Sequence, residues 1–229
     1  DFTYNDGRGW PLAADGAGHS LVPKVFADQT ALLDYGGNWC ASAFIGGSPG
    51  AADPAPVTDV LMNEIMAHTD YTNPALPQYD SDDWIELFNP TAAPVSLADW
   101  YLSDDAADLR KWRIPETNTI AAGGWVTFDE VSGFHFPTNT GFGLNKDGEQ
   151  AFLSYLPGDG RDRVADAVRF KAQENFVSLG RYPDGGAWWQ ALAPMTPDAS
   201  NAPPTAHVVI AELMYHPAPV GTNGEDNTV

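Results

Sequence analysis

An antiparallel β-sandwich is the fold this sequence predicts, and three observations predict it. Apolar side chains recur with period two in short runs, turn-forming residues separate those runs, and no segment carries a convincing helical pattern. The 22 glycines and 19 prolines supply the turns, while a hydrophobic content of 43% with 8 Trp, 8 Tyr and 11 Phe excludes a disordered chain.

In chain order, Ala27 to Asp34 is the best helix candidate, but it is only about two turns long and reads equally well as an extended loop. The run Val60 to Met66 is the first clear strand. Trp84 to Phe88 alternates, placing Ile85 and Leu87 on one face and Trp84, Glu86 and Phe88 on the other. Further strands are predicted at Trp125–Phe128, Ala151–Leu156, Val164–Phe170 and Phe176–Leu179, all rich in β-branched and aromatic residues. Asn89-Pro90, Ala122-Gly123-Gly124, Pro157-Gly158-Asp159-Gly160 and Pro183-Asp184-Gly185-Gly186 are the turns between them, and Lys146-Asp147-Gly148 is a hairpin signal.

The sequence also repeats itself. Ser48-Pro49-Gly50 followed by Val60-Leu61-Met62-Asn63-Glu64-Ile65-Met66 returns as Thr196-Pro197-Asp198 followed by Val208-Val209-Ile210-Ala211-Glu212-Leu213-Met214. Glu64 and Glu212 lie 148 positions apart, as do Pro49 and Pro197. Upstream, His19-Ser20-Leu21 and Asn38-Trp39 are echoed by Val177-Ser178-Leu179 and Ala187-Trp188. So long a period belongs to whole domains, because solenoid repeats run at roughly 20–50 residues. Residues 1–53 are therefore expected to be the C-terminal part of one unit, 57–200 a complete unit, and 207–229 the N-terminal strand of a third. The sequence opens without an initiator Met and stops in mid-pattern, which gives the expectation of a piece of a longer protein. The proline- and alanine-rich linkers 50–56 and 198–205 are expected to be semi-stiff spacers that hold neighbouring units apart.

A net charge of −20 repels phosphate backbones and anionic membrane surfaces, so no direct nucleic-acid contact is expected. No stretch approaches the roughly 20 apolar residues of a spanning helix, and no membrane insertion is expected. The single Cys40 cannot form an internal disulfide.

The complete unit resembles the lamin tail domain, in the form found as tandem copies in multidomain bacterial exported proteins. The residues that carry the resemblance are Val60–Met66, Asp83-Trp84-Ile85-Glu86-Leu87-Phe88-Asn89-Pro90, Val95–Asp104 around Trp100-Tyr101-Leu102, Lys111-Trp112-Arg113-Ile114-Pro115, and Gly143–Glu149. Asp99 and Asp198 stand where that family has glycine, and both are expected to take the left-handed conformation that Asp tolerates better than most residues. The resemblance implies an all-β, immunoglobulin-like antiparallel β-sandwich and a non-catalytic structural or protein-interaction module. It also implies an extracellular or cell-surface setting, with a protein or cell-surface component, and neighbouring repeats, as partners.

Several constellations bear on chemistry. Glu64 and Glu86 sit in strands expected to be neighbours, so a carboxylate pair for hydrolysis is conceivable. The structural reading is that such carboxylates accept backbone N–H bonds from an adjoining loop. Asp80, Asp82 and Asp83, with Asp104, Asp105 and Asp108, are two acidic clusters that suit Ca²⁺ in kind but not in spacing, so calcium-dependent adhesion is the other alternative. His19, His68, His135, His207 and His216 have no metal-ligand spacing. Trp100, Trp112, Trp125, Trp188 and Trp189 are expected mostly in the core, with a solvent-facing subset able to stack on a sugar or a partner protein. No catalytic, cofactor-binding or metal residue is assigned. Because the strand Val208–Tyr215 would lack partners of its own, self-association or loose termini are expected.

Overall fold

The computed structural model describes residues 4, 9–24, 33–69, 83–135 and 141–203. The segment 207–229, with His207 and His216, lies outside the described residues, as do Asp80, Asp82 and most of the 27–34 helix candidate. Among the described residues the regular structure is strand, with only three short helical turns, at Leu12–Ala14, Gly36–Asn38 and Glu130–Phe134.

Two antiparallel sheets form an immunoglobulin-like sandwich. One has five strands: β13 (Trp189–Leu192), β12 (Ser178–Arg181), β3 (Leu61–Met66), β4 (Trp84–Phe88) and β9 (Trp125–Asp129), in that spatial order. The other has four: β11 (Arg163–Arg169), β10 (Gln150–Tyr155), β6 (Trp100–Ser103) and β7 (Trp112–Arg113). A small pair, β5 (Val95–Ser96) with β8 (Thr119–Ile120), lies outside both sheets.

The alternation read from the sequence is what joins the layers. Met62, Ile65, Ile85 and Leu87 from the first sheet meet Trp100, Leu102, Ala151, Leu153 and Val168 from the second in one buried cluster. Each such large side chain contributes about 1.5–3 kcal/mol relative to remaining exposed. Leu97, Ile114, Ile120, Phe134 and Phe142 complete the same core from the loops and short strands.

The turn expectations at Asp99, Asp198 and 157–160 are met, and the one at 146–148 is altered. Asp99 and Asp198 have φ of 64° and 57°. Pro157 to Gly160 links β10 to β11. At Lys146-Asp147-Gly148 the turn exists, with Gly148 at φ 105° and its N–H on Asn145 O at 2.9 Å, but it does not join two strands. Residues 141–145 instead send Phe142 and Leu144 into the core, which removes them from any ladder.

The linker at 50–56 does not hold the preceding segment away. The Leu12–Ala14 turn packs on the edge strand β11, and residues flanking a hairpin of β1 (Leu21–Pro23) and β2 (Trp39–Ala41) bond to β11 and the loop before it. Buried His19 accepts the Val164 N–H on Nε2 at 2.9 Å, its Nδ1–H donates to Ser42 O at 2.7 Å, and Ile45 N–H donates to Asp162 O at 2.8 Å. Asp53 folds back to accept Ala43 N–H and the Ser48 hydroxyl, at 2.8 and 3.0 Å. The physical reason is that Asp53 offers acceptors to a turn with spare donors, so the chain bends before it reaches Pro54.

Burial holds the His19 pKa below its ordinary 6.5 against the opposing pull of the Ser42 carbonyl and the Asp53 carboxylate, and the Val164 N–H on Nε2 requires the neutral ring. Its contribution is whole above pH 6.5 and is lost as pH falls through the lower folded value. His19→Phe is expected to cost about 1–2 kcal/mol and to speed exchange of the Val164 amide. Acidification to pH 5 should lower the protection of that amide, taken relative to its intrinsic exchange rate at the same pH, in the native chain and not in the variant, as hydrogen exchange followed by NMR would show.

Candidate functional site

An irregularity in β3 places the two glutamates of interest. Across the β3–β4 ladder Met62 faces Leu87 and Glu64 faces Glu86, so β3 uses two residues where β4 uses one. The extra residue is Asn63, and a β-bulge of this kind breaks the strand's alternation. Met62 and Ile65 both reach the core as a result, while Asn63 and Glu64 share polar partners on the other side of the sheet.

Glu64 and Glu86 are both fully buried. A buried carboxylate is costly unless hydrogen-bond donors replace water, and the segment after β13 returns across the sheet to supply them. Glu64 accepts the Ser178 hydroxyl, and the Thr196 N–H at 3.2 Å; Thr196 Oγ1 lies 2.9 Å from Glu64 and 2.8 Å from Asn201. Glu86 accepts Asn63 Nδ2 at 2.9 Å and the Asp198 N–H at 2.6 Å. Asp198, in its left-handed turn, accepts the Thr127 N–H of β9 at 2.9 Å. Asn201 donates to the carbonyls of Asn63 and Arg181 at 3.2 and 2.8 Å, and Asp184 accepts from Asn63 and from Asn201 N–H at 3.0 and 2.9 Å.

The backbone freed by the bulge is satisfied from the side. Met62 N–H donates to Asp166 at 3.0 Å and Met62 O accepts Arg181 Nε at 2.8 Å. Arg181 in turn makes a two-pronged pair with Asp166 at 3.0 Å. Since Asp166 belongs to β11 and Arg181 to β12, this pair clasps one sheet to the other. Arg181 also lies over the Trp189 ring, 4.6 Å from its centre.

Burial pushes Glu86 up to about 8; the Asn63 and Asp198 donors pull it down, and the neighbouring Glu64 and Asp198 carboxylates push it further up. Both carboxylates are engaged by protein donors and closed to solvent, so this geometry builds a lock and presents no acid–base pair to a substrate. Sequence reasoning placed both glutamates but missed Asn63, Ser178, Thr196, Asn201, Asp184, Arg181 and Asp166. Two signals were available: a polar Asn-Glu pair interrupting an apolar run, and the repeated Ser/Thr-Pro motif.

The remaining candidates are dispersed. Asp83 is buried, and its backbone exchanges bonds with Glu130. Asp104 pairs with Lys111 at 2.6 Å, Asp105 accepts Ala107 N–H and Asp108 accepts Arg110 N–H, so that loop is organised from within. Among the described residues no group of three His, Cys, Asp or Glu side chains could hold a metal ion. His68 lies 3.2 Å from Gln173 O and His135 3.4 Å from Glu130, apart from each other and from His19. Trp100 and Trp112 are core, Trp125 and Trp189 half-buried, and Trp188 is 82% exposed.

The closing turn has a geometric counterpart in the first segment. Ala199 N–H bonds to Thr196 O at 3.1 Å, as Ala51 N–H does to Ser48 O. Thr196 reaches Asn201 as Ser48 reaches Asp53, and Gly50 has φ 80° where Asp198 has 57°. The hairpins match too, Pro23 facing Trp39 and Arg181 facing Trp189. The counterpart of Trp39 is therefore Trp189, one residue beyond the Trp188 that sequence comparison selected, because ladder register rather than loop length sets the alignment.

The family model described as Lamin Tail Domain matches residues 53–169. No curated protein and no solved structure matches the chain.

Folded Glu86 titrates near 8 against an ordinary value of 4.5, so its contribution is whole below about pH 4.5 and is lost as pH rises through about 8. The slope in that window is at most ~1.4 kcal/mol per pH unit. Glu86→Gln should be less stable than the native chain at pH 5, by about 1–3 kcal/mol, because an amide nitrogen is a donor only and would face an N–H that a carboxyl oxygen, protonated or not, has a lone pair to accept. Its melting temperature should fall less steeply between pH 5 and 8, as calorimetry at intermediate pH values would show.

Proposed function

The chain belongs to the lamin tail domain family, and from that membership we propose that it serves as a structural or protein-interaction module, in tandem copies, within a larger exported or cell-surface bacterial protein. The observation that carries this reading is the use of Glu64 and Glu86. The carboxylates of this pair accept their hydrogen bonds from Ser178, Thr196, Asn63 and Asp198, and together those bonds hold the sandwich to its closing turn. Function in such a body resides in surfaces and spacing.

The tandem reading is supported by the 148-residue recurrence and by the matching hydrogen bonds of the two turns. The setting outside the cell is supported by family resemblance. Exposed Trp188 and Tyr182, close to one another along the β12–β13 hairpin, fit a protein or cell-surface component as partner, since aromatic side chains are enriched where surfaces bind. Among the described residues no helix is long and apolar enough to cross a membrane.

Two measurements test the reading. Melting with and without millimolar Ca²⁺ should give the same midpoint, since a ligand held by the native state must raise it; an upward shift would favour calcium-dependent adhesion. On chromogenic glycoside, ester and phosphodiester substrates no turnover is expected. Turnover that vanished in Glu64→Gln with melting unchanged would overturn the proposal in favour of a hydrolase.

A further inference from the structure

Among the described residues strand β1 has an open edge. Ser42 N–H donates to Ser20 O and Lys24 N–H to Asn38 O, each at 2.8 Å, so the alternation of an antiparallel ladder turns the N–H and C=O of Leu21 away from β2. Among the described residues no strand pairs with β1 on that side. A groove of about 550 Å³ runs beside it, lined by Ser20, Leu21, Pro23, Ser48, Pro49 and Asp53.

In the second hairpin the corresponding place is filled. There β3 lies along β12, with Ile65 facing Leu179 and Glu64 facing Gly180, and Glu64 is held by Ser178 and Thr196. Ladder register and turn geometry put Ser20 in the position of Ser178, Leu21 in that of Leu179 and Ser48 in that of Thr196. Ser178 is buried beneath β3, whereas Ser20 is exposed. Pro23 matches Arg181, which has no ladder partner in β3, so its missing N–H removes nothing an incoming strand would need.

We propose that this groove accepts residues 208–214 of a second copy of the chain as an added antiparallel strand, with Glu212 seated on the Ser20 hydroxyl and the Ser48 N–H. The occupant is chosen by its sequence. Val208-Val209-Ile210-Ala211-Glu212-Leu213-Met214 is the counterpart of the strand that fills the equivalent place, with Glu212 for Glu64 and Leu213 for Ile65. Backbone bonds to Leu21 supply the attachment, and the glutamate fixes the register, since a slip by one residue would carry it away from its donors. Ser48 contributes its N–H because its hydroxyl donates to Asp53. The groove and the strand are different surfaces of one chain, so the contact is head-to-tail and propagates.

The inference names the partner of the interaction module proposed above and rests on that reading, yet the two fail separately. A calcium shift or a substrate turnover would end the module reading and leave the docking test standing. In sedimentation velocity the full chain should grow in mass with concentration, whereas full chains carrying Glu212→Lys or Ser20→Lys should stay monomeric with unchanged melting. Glu212→Lys keeps an intact groove and Ser20→Lys an intact strand, so mixing the two variants should produce a heterodimer and nothing larger. A native chain that stays monomeric, variants that associate as the native chain does, or a mixture that remains monomeric would each overturn the proposal.

Discussion

Two carboxylates removed from water set the terms for the rest of this molecule. Glu64 and Glu86 face one another across β3 and β4 on the side of the sheet away from the core. An ionisable group in that position must find donors or destabilise the fold by several kcal/mol. The donors come from far along the chain, at Ser178, Thr196 and Asp198. The sheet is thus complete only when the segment after β13 has come back across it, and closure of the domain and satisfaction of the carboxylates are one event.

The bulge at Asn63 makes that arrangement possible. A regular β3 would alternate strictly, sending either Met62 or Ile65 out of the core. One extra residue lets both stay inside and brings Asn63 beside Glu64. The cost is an unpaired stretch of backbone, and it is met by Asp166 and Arg181, whose mutual pair also joins the two sheets. Core packing, the polar lock and the inter-sheet clasp therefore meet at three consecutive residues, Met62 to Glu64.

The first segment uses the same parts differently. Its hairpin and turn copy the hydrogen bonds of β12, β13 and the closing turn, but Asp53 stands where Asn201 does and binds inward to Ala43 and Ser48. His19 anchors the hairpin to β11 through a neutral ring, so one edge of the four-stranded sheet is covered. Among the described residues the outer edge of β1 has no strand partner.

Local pattern was enough to locate β4, β9, β10, β11 and the start of β12, because alternation of apolar side chains reports which face is buried without reference to any distant residue. It was likewise enough to place Asp99 and Asp198 in left-handed turns, a preference carried by the residue itself, and to bring Glu64 and Glu86 onto neighbouring strands. Tertiary structure alone decided what those glutamates do, since Ser178, Thr196 and Asp198, which close the site, lie more than a hundred residues away along the chain and no local rule connects them. It also decided that 141–145 serves the core rather than a hairpin and that the linker at Asp53 folds back. For the glutamates and for 141–145 a distant surface offered donors or burial that the local sequence does not display, whereas Asp53 found its donors in the adjoining turn, at Ala43 and Ser48.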